Sequence, residues 1–173
     1  MGEVYELGPV EHITVGTVGE PGQRVFFLQG SDSGQTISLI IEKEQAQALA
    51  NAIEQLLEEL EEERELPPAI ADDIPQEALT LRQPVNALFR VAQMGLGYDP
   101  ERDLVVIAAQ ELTFDDTEEP SLVRFWATRT QLAALARHAR AVVAAGRPIC
   151  PLCGRPIDPE GHFCPRSNGH AHD

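Results

Sequence analysis

The sequence predicts an α+β protein: an internally duplicated body of two antiparallel β-meander plus helix units, related by a pseudo-twofold axis, with a small C-terminal zinc-binding tail. Three observations lead there. Short β-rich runs broken by Gly/Pro loops are twice followed by one long amphipathic helix. The openings of the two helices line up with one another. All 3 cysteines fall within residues 150–164.

Residues 4–7, 13–18, 25–29 and 36–41 are apolar or alternating, and Gly8-Pro9, residues 19–22 and residues 30–34 supply turns between them. They read as four strands of an antiparallel meander. A helix starts near Lys43, where Ala46, Leu49, Ile53, Leu56, Leu57 and Leu60 recur every three or four residues and share one face. Glu54, Glu58, Glu59, Glu61, Glu62 and Glu63 crowd the remaining surface. Pro67-Pro68 halts it, because proline lacks a backbone donor and its ring collides with the preceding turn. Residues 67–84, rich in Pro, Asp and Ala, read as a linker with a helical turn near residues 75–79.

The second half repeats the order. Residues 87–96, 104–110 and 122–127 read as strands, and a helix runs from about Thr130 to Ala145. Thr128 or Thr130 suits its N-cap and Gly146 its stop. Glu44-Gln45-Ala46-Gln47-Ala48-Leu49-Ala50 lines up with Thr130-Gln131-Leu132-Ala133-Ala134-Leu135-Ala136, and Gly16-Thr17-Val18-Gly19 with Met94-Gly95-Leu96-Gly97. A sheet capped by one helix leaves an edge and part of a face exposed, which a second copy covers. The expected units are residues 1–66 and 85–146, joined by the linker 67–84 and followed by the tail 147–173.

With 13 basic and 28 acidic residues the net charge is −15, a field that repels phosphate backbones and anionic lipid and suits basic partners or cations. No run of 18 apolar residues exists to span a membrane, and the first residues lack the basic-then-apolar order of a signal peptide. Three clustered cysteines do not form a secreted disulfide framework. The expectation is a cytoplasmic protein.

The tail is too short and too polar to bury a core, so its folding requires a staple. Cys150-Pro151-Leu152-Cys153-Gly154 places two thiolates on a tight turn, where both reach one tetrahedral ion. Gly161-His162-Phe163-Cys164-Pro165 repeats the pattern. Together they predict one structural zinc held by Cys150, Cys153, Cys164 and His162, with His170 and then His172 as alternative fourth ligands. A redox dithiol would sit at a helix N-terminus, whereas this CxxC follows a helix among prolines.

No phosphate-binding glycine loop, zinc-protease or serine-hydrolase motif is present. Asp72-Asp73 and the acidic run 115–119 lack ligand spacing and read as solvated loop charge. Single-strand nucleic-acid binding would need a basic groove; Arg124, Arg129, Arg137, Arg140 and Arg147 make only the C-terminal half locally basic.

The stretches Gly16-Thr17-Val18-Gly19-Glu20-Pro21-Gly22-Gln23-Arg24-Val25-Phe26-Phe27-Leu28-Gln29, Met94-Gly95-Leu96-Gly97-Tyr98-Asp99-Pro100 and the ending from Gly146 to Pro165 resemble a bacterial, mainly actinobacterial family known as domain of unknown function 3090. The likeness spans nearly the whole chain. It implies a bacterial cytoplasmic protein without an assigned activity, and its Gly-His-x-Cys-Pro pattern favours His162 over His170. The expected role is a protein-binding or adaptor module. The alternative is an enzyme taking a small anionic substrate between the halves with Arg24 and Arg102; single-stranded nucleic-acid binding ranks third.

Overall fold

The computed structural model describes residues 2–20 and 22–145, and the backbone of two short strands, His162–Phe163 and Ala171–His172. The body is α+β, with one mixed seven-stranded sheet and two helices. Its strands are β1 (Val4–Leu7), β2 (His12–Val18), β3 (Val25–Ser31), β4 (Thr36–Ile41), β5 (Ala87–Asp99), β6 (Leu104–Glu111) and β7 (Leu122–Thr128). Helix α1 (Lys43–Glu63) follows β4, and α2 (Arg129–Ala145) follows β7. The sheet order is β1-β7-β6-β5-β4-β3-β2.

The antiparallel meander expected for residues 4–41 is corrected at its first strand. β2, β3 and β4 are antiparallel neighbours, but β1 leaves them and pairs in parallel with β7, Leu7 opposite Phe125. Residues 8–11 do not reverse the chain. They carry it forward from one sheet edge to the other, Val10 N–H donating to Trp126 O (2.9 Å) and Glu11 N–H to Ser31 O (2.9 Å). Gly8 makes this crossing feasible: a Cβ there would stand 2.4 Å from Cβ of Trp126, and its φ of +150° suits glycine. A second parallel pair, β4 with β5, sets Leu39 opposite Phe89. The sheet thus curls until its edges are joined.

Phe125, Leu7, Leu28, Leu39, Val15 and Ile107 are fully buried and occupy successive paired positions on one sheet face. The same core takes in the buried faces of α1 (Ala46, Leu49, Ile53, Leu57) and α2 (Leu132, Leu135, Ala139). Arg140 ties the helices together, donating from Nε to Glu54 Oε1 (2.8 Å) and from Nη2 to Asn51 Oδ1 (2.6 Å). Both helices begin with a capping glutamine. Gln45 Oε1 accepts from Glu42 N–H and Gln131 Oε1 from Thr128 N–H, while Gln45 Nε2 donates to Val91 O of β5 and Gln131 Nε2 to Val10 O of the crossing segment.

Residues 67–84 lie as a strap across β2, β3 and α2. Thr14 Oγ1 donates to Leu79 O (2.6 Å), His12 Nε2 bonds Thr80 O (2.9 Å), and Gln29 exchanges two bonds with the backbone of Arg82 (3.0 and 2.7 Å). These bonds satisfy polar side chains that the strap buries. Arg129 fixes its start, with Nη1 donating to Pro67 O (2.8 Å) and Nε to Asp103 Oδ1 (2.9 Å); Tyr98 Oη also donates to Asp103.

Sheet closure brings β3 against β7, and a Cβ at Gly30 would meet the Phe125 ring at 2.5 Å, whereas one at Gly95 meets nothing within 4 Å. Gly30→Ala is therefore expected to lower unfolding free energy by about 1–3 kcal/mol through overpacking. Gly95→Ala should leave it within about 0.5 kcal/mol of the parent. Urea titration of both variants checks the contrast; equal midpoints would contradict the closure.

Candidate binding groove

A cavity of about 450 Å³ runs between α1 and β5. Ala48, Ala52 and Leu56 of α1 form one wall, and Met94, Gly95 and Leu96 of β5 the other. Gln45 closes one end through Nε2–H bonds to Val91 O (3.2 Å) and Ala92 O (3.3 Å); Gln93, Gln55 and Glu59 stand on the rim. α1 folds this way because its apolar residues form two stripes. Ala46, Leu49, Ala50, Ile53, Leu57 and Leu60 are buried; beside them, at four-residue spacing, Ala48 and Ala52 are exposed and Leu56 is half-buried against the core.

The groove holds one carboxylate, Glu59, and no facing titratable partner. Its walls offer apolar contact and its glutamines offer neutral hydrogen bonds, which is a recognition surface rather than an acid–base centre. Outside it, α1 presents Glu44, Glu54, Glu58, Glu61, Glu62 and Glu63. A cationic side chain beside the groove therefore enters a favourable field.

The crevice between α2 and β2 is different. Leu79, 3% exposed, and Leu81 of the strap enter it, leaving cavities of about 310 and 80 Å³ beside His138 and His12 respectively. α2 carries Arg137, and the strap answers with Asp72, whose Oδ1 accepts from Arg137 Nη1 at 2.6 Å. His138 Nδ1 lies 3.1 Å from Gln76 Nε2. Burial pushes the His138 imidazole below its usual range. Burial does the same at His12, partly opposed by the bond to Thr80 O, and His12 Nδ1 is buried without a hydrogen-bond partner among the described residues.

The two arginines expected to share an anion site do not line any of these three cavities. Arg102 is engaged elsewhere: its Nε donates to Asp99 Oδ2 (2.7 Å) and its guanidinium lies 4.4 Å from the centre of the Trp126 ring. The buried Nε of Arg24 has no hydrogen-bond partner among the described residues. The halves meet through hydrogen-bonded β4–β5 pairing and through the Arg140–Glu54 contact of the helices.

Cys150, Cys153, Cys164 and the alternative ligand His170 lie outside the described residues, as does the side chain of His162; the His162 backbone pairs antiparallel with His172. Among the described residues no group of three or more His, Cys, Asp or Glu side chains is gathered to hold a metal ion. The groove was not singled out from sequence. Met94-Gly95-Leu96-Gly97 reads as a strand end, Leu56 falls on the single apolar stripe of α1, and Ala48 and Ala52 carry no signal of their own.

Because folding holds His12 and His138 below their ordinary value of 6.5, the unfolded chain takes up protons first as pH falls. Stability contributed by their neutral forms is complete above about pH 6.5 and is lost as pH drops through the lowered folded values. The His12→Gln/His138→Gln variant should show a flatter fall in urea midpoint between pH 7 and 5 than the parent. Equal slopes would remove the histidines from strap retention.

No helix among the described residues is long and apolar enough to cross a membrane. No curated protein and no solved structure matches the chain. A family model described as "Protein of unknown function (DUF3090)" matches residues 5–164, so its span takes in the strap, the groove and three of the four expected zinc ligands together with His162 as the fourth. The chain belongs to that family, domain of unknown function 3090.

Proposed function

We propose that the protein is a protein-binding module, built on an internal duplication and stapled at its C-terminal end by zinc, whose α1–β5 groove receives an apolar partner segment flanked by basic residues. The observation that carries this reading is the groove itself: apolar walls of Ala, Leu, Met and Gly, open to solvent, set beside an acidic helix face. Such a surface favours apolar anchors for affinity and Lys or Arg flanks for steering.

The duplication supports it by explaining why the groove is open. Leu7–Phe125 and Phe89–Leu39 are the two parallel pairings, each joining the start of one unit to the last strand of the other. They exchange if Leu39 matches Phe125, an offset of 86 that also matches Glu44 with Thr130 in the helices. Glu54 then matches Arg140, so the ion pair between helices sits on the axis. Following the pairings, Val15–Leu28–Leu39 matches Leu96–Ile107–Phe125, which aligns Gly16 with Gly97 rather than with Met94 as local composition implies. In this register the α1–β5 groove is the counterpart of the α2–β2 crevice. Ala134 is buried there, while its match Ala48 is exposed. Thr14 is buried beneath the strap, while its match Gly95 faces open space. The strap supports the reading by analogy, since it is an irregular segment anchored by leucines in the matching crevice.

An enzyme acting on an anion between the halves draws no support from Arg24 and Arg102, and the net charge of −15 weighs against nucleic acid. The zinc reading rests on Cys150, Cys153, His162 and Cys164 as donors, a thiolate-rich set suited to a closed tetrahedral site.

Selection of a random peptide library against the full chain tests the binding function. Enriched peptides should carry apolar anchors with adjacent Lys or Arg, weaken as salt rises, and lose at least about tenfold in affinity to Leu56→Arg, about 1.4 kcal/mol. Peptides that bind Leu56→Arg as well as the parent would sink it. Metal analysis of protein purified without added metal tests the staple. One zinc per chain is expected, and it should be absent from Cys150→Ser and from His162→Ala; retention in His162→Ala with loss in His170→Ala transfers the fourth position to His170.

A further inference from the structure

We infer that the partner segment enters the α1–β5 groove in extended form, as an added strand on the free edge of β5 at Met94 and Leu96. The inference rests on the reading of the groove as a peptide site, and it names the conformation and composition of what enters. β4 occupies this edge of β5 only along Ala87–Arg90 and leaves it after Ile41 for α1. From Gln93 to Asp99, β5 pairs with β6 on its other side. Among the described residues no strand or other backbone group bonds the edge that faces α1.

The bonds along β5 fix which groups that edge presents. Arg90 O accepts from Leu112 N–H (2.7 Å), so Arg90 turns to the β6 side. Val91 O and Ala92 O both accept from Gln45 Nε2, so both turn to α1. Two successive carbonyls on one side mark Ala92 as the extra residue of a bulge, where the register passes from Val91–Glu111 to Gln93–Gln110. Glu111 N–H donates to Ser121 O, away from β5, which leaves Gln110 turned towards Gln93. Beyond the bulge a strand alternates: Gln93, Gly95 and Gly97 bond β6, while Met94 and Leu96 direct N–H and C=O at α1. Gln45 thus satisfies the first carbonyls of an edge whose next two residues await a strand.

This edge selects an extended occupant. A helix satisfies its own backbone and would cover the Met94 and Leu96 groups without bonding them, which is costly. An extended segment bonds them and continues the line of β4 along the same edge. Room exists because α1 stands off β5, whereas α2 packs directly on β2. On the proposed register Ala52 of α1 stands where α2 carries His138, so small side chains leave space for a backbone. Alternate residues of the added strand face Leu49, Leu56, Met94 and Leu96 and need to be apolar; those between face outwards beside the α1 glutamates and suit Lys or Arg. A second copy of the chain would bring its own acidic α1 against this one, which is repulsive.

Amide hydrogen exchange on the full-length protein, read residue by residue by NMR with and without the library-selected peptide, tests the pairing. In the free protein β6 should protect the amides of Gln93, Gly95 and Gly97, while those of Met94 and Leu96 exchange freely. Saturating peptide should slow Met94 and Leu96 by at least about tenfold. N-methylation of the peptide backbone should cost at least about tenfold in affinity at every second core position and little at the positions between. Unchanged exchange at Met94 and Leu96 under saturating peptide, losses on N-methylation that do not alternate, or slowing that grows with protein concentration in the absence of peptide would overturn the inference. If that happens while the selected peptide still binds the parent and not Leu56→Arg, only the added strand falls. If the peptide also ignores Leu56→Arg, the binding function falls with it.

Discussion

Parallel pairing of Val4–Leu7 with β7 covers an edge that would otherwise expose unpaired backbone groups. It also obliges the chain to cross at residues 8–11 to the opposite edge, where β2 begins beside β3. Closure follows, and with it the apposition of Gly30 and Phe125 and the burial of Leu7, Leu28 and Leu39 on one face. Were β1 to pair with β2 as a simple hairpin, β7 would keep only β6 as a neighbour and the two sheet edges would not be joined.

Closure has a consequence for recognition. It fixes each helix alongside a long strand, α2 by Gln131 to Val10 O and α1 by Gln45 to Val91 O and Ala92 O. One of the resulting crevices is filled by Leu79 and sealed by Thr14, His12 and Gln29, whose polar groups would be costly to bury without the strap's carbonyls. The other has Gly95 where the first has Thr14 on the proposed register, and it stays open with apolar walls. An apolar concavity of this size in an acidic surface is the feature on which the binding function depends.

Local chemistry made most elements legible. The apolar stripe of α1, the Thr128–Gln131 cap of α2, the Gly/Pro turns and the short helical turn Gln76–Leu79 all follow from neighbours in sequence. Pairings across long separations were not legible in the same way. Nothing near Val4 announces β7 as its partner, because Leu7 opposite Phe125 joins residues far apart in the chain. The strap was equally hidden: Pro, Asp and Ala between 67 and 84 have the composition of a linker, and only the buried acceptors for Thr14 and Gln29 reveal its packing. The groove escaped notice for a related reason. Ala48 and Ala52 are small enough to pass as helix surface, and Gly95 carries no side chain to mark it. The expected zinc ligands were the sharpest sequence signal, and they lie outside the described residues.

Methyl NMR of full-length protein labelled at Ala, Leu and Met, titrated with a leucine-containing peptide flanked by arginines, addresses the groove most directly. Shifts concentrated on Ala48, Ala52, Leu56, Met94 and Leu96 are the predicted result. Shifts scattered over the surface, or centred on Leu79 and Leu81, would contradict it.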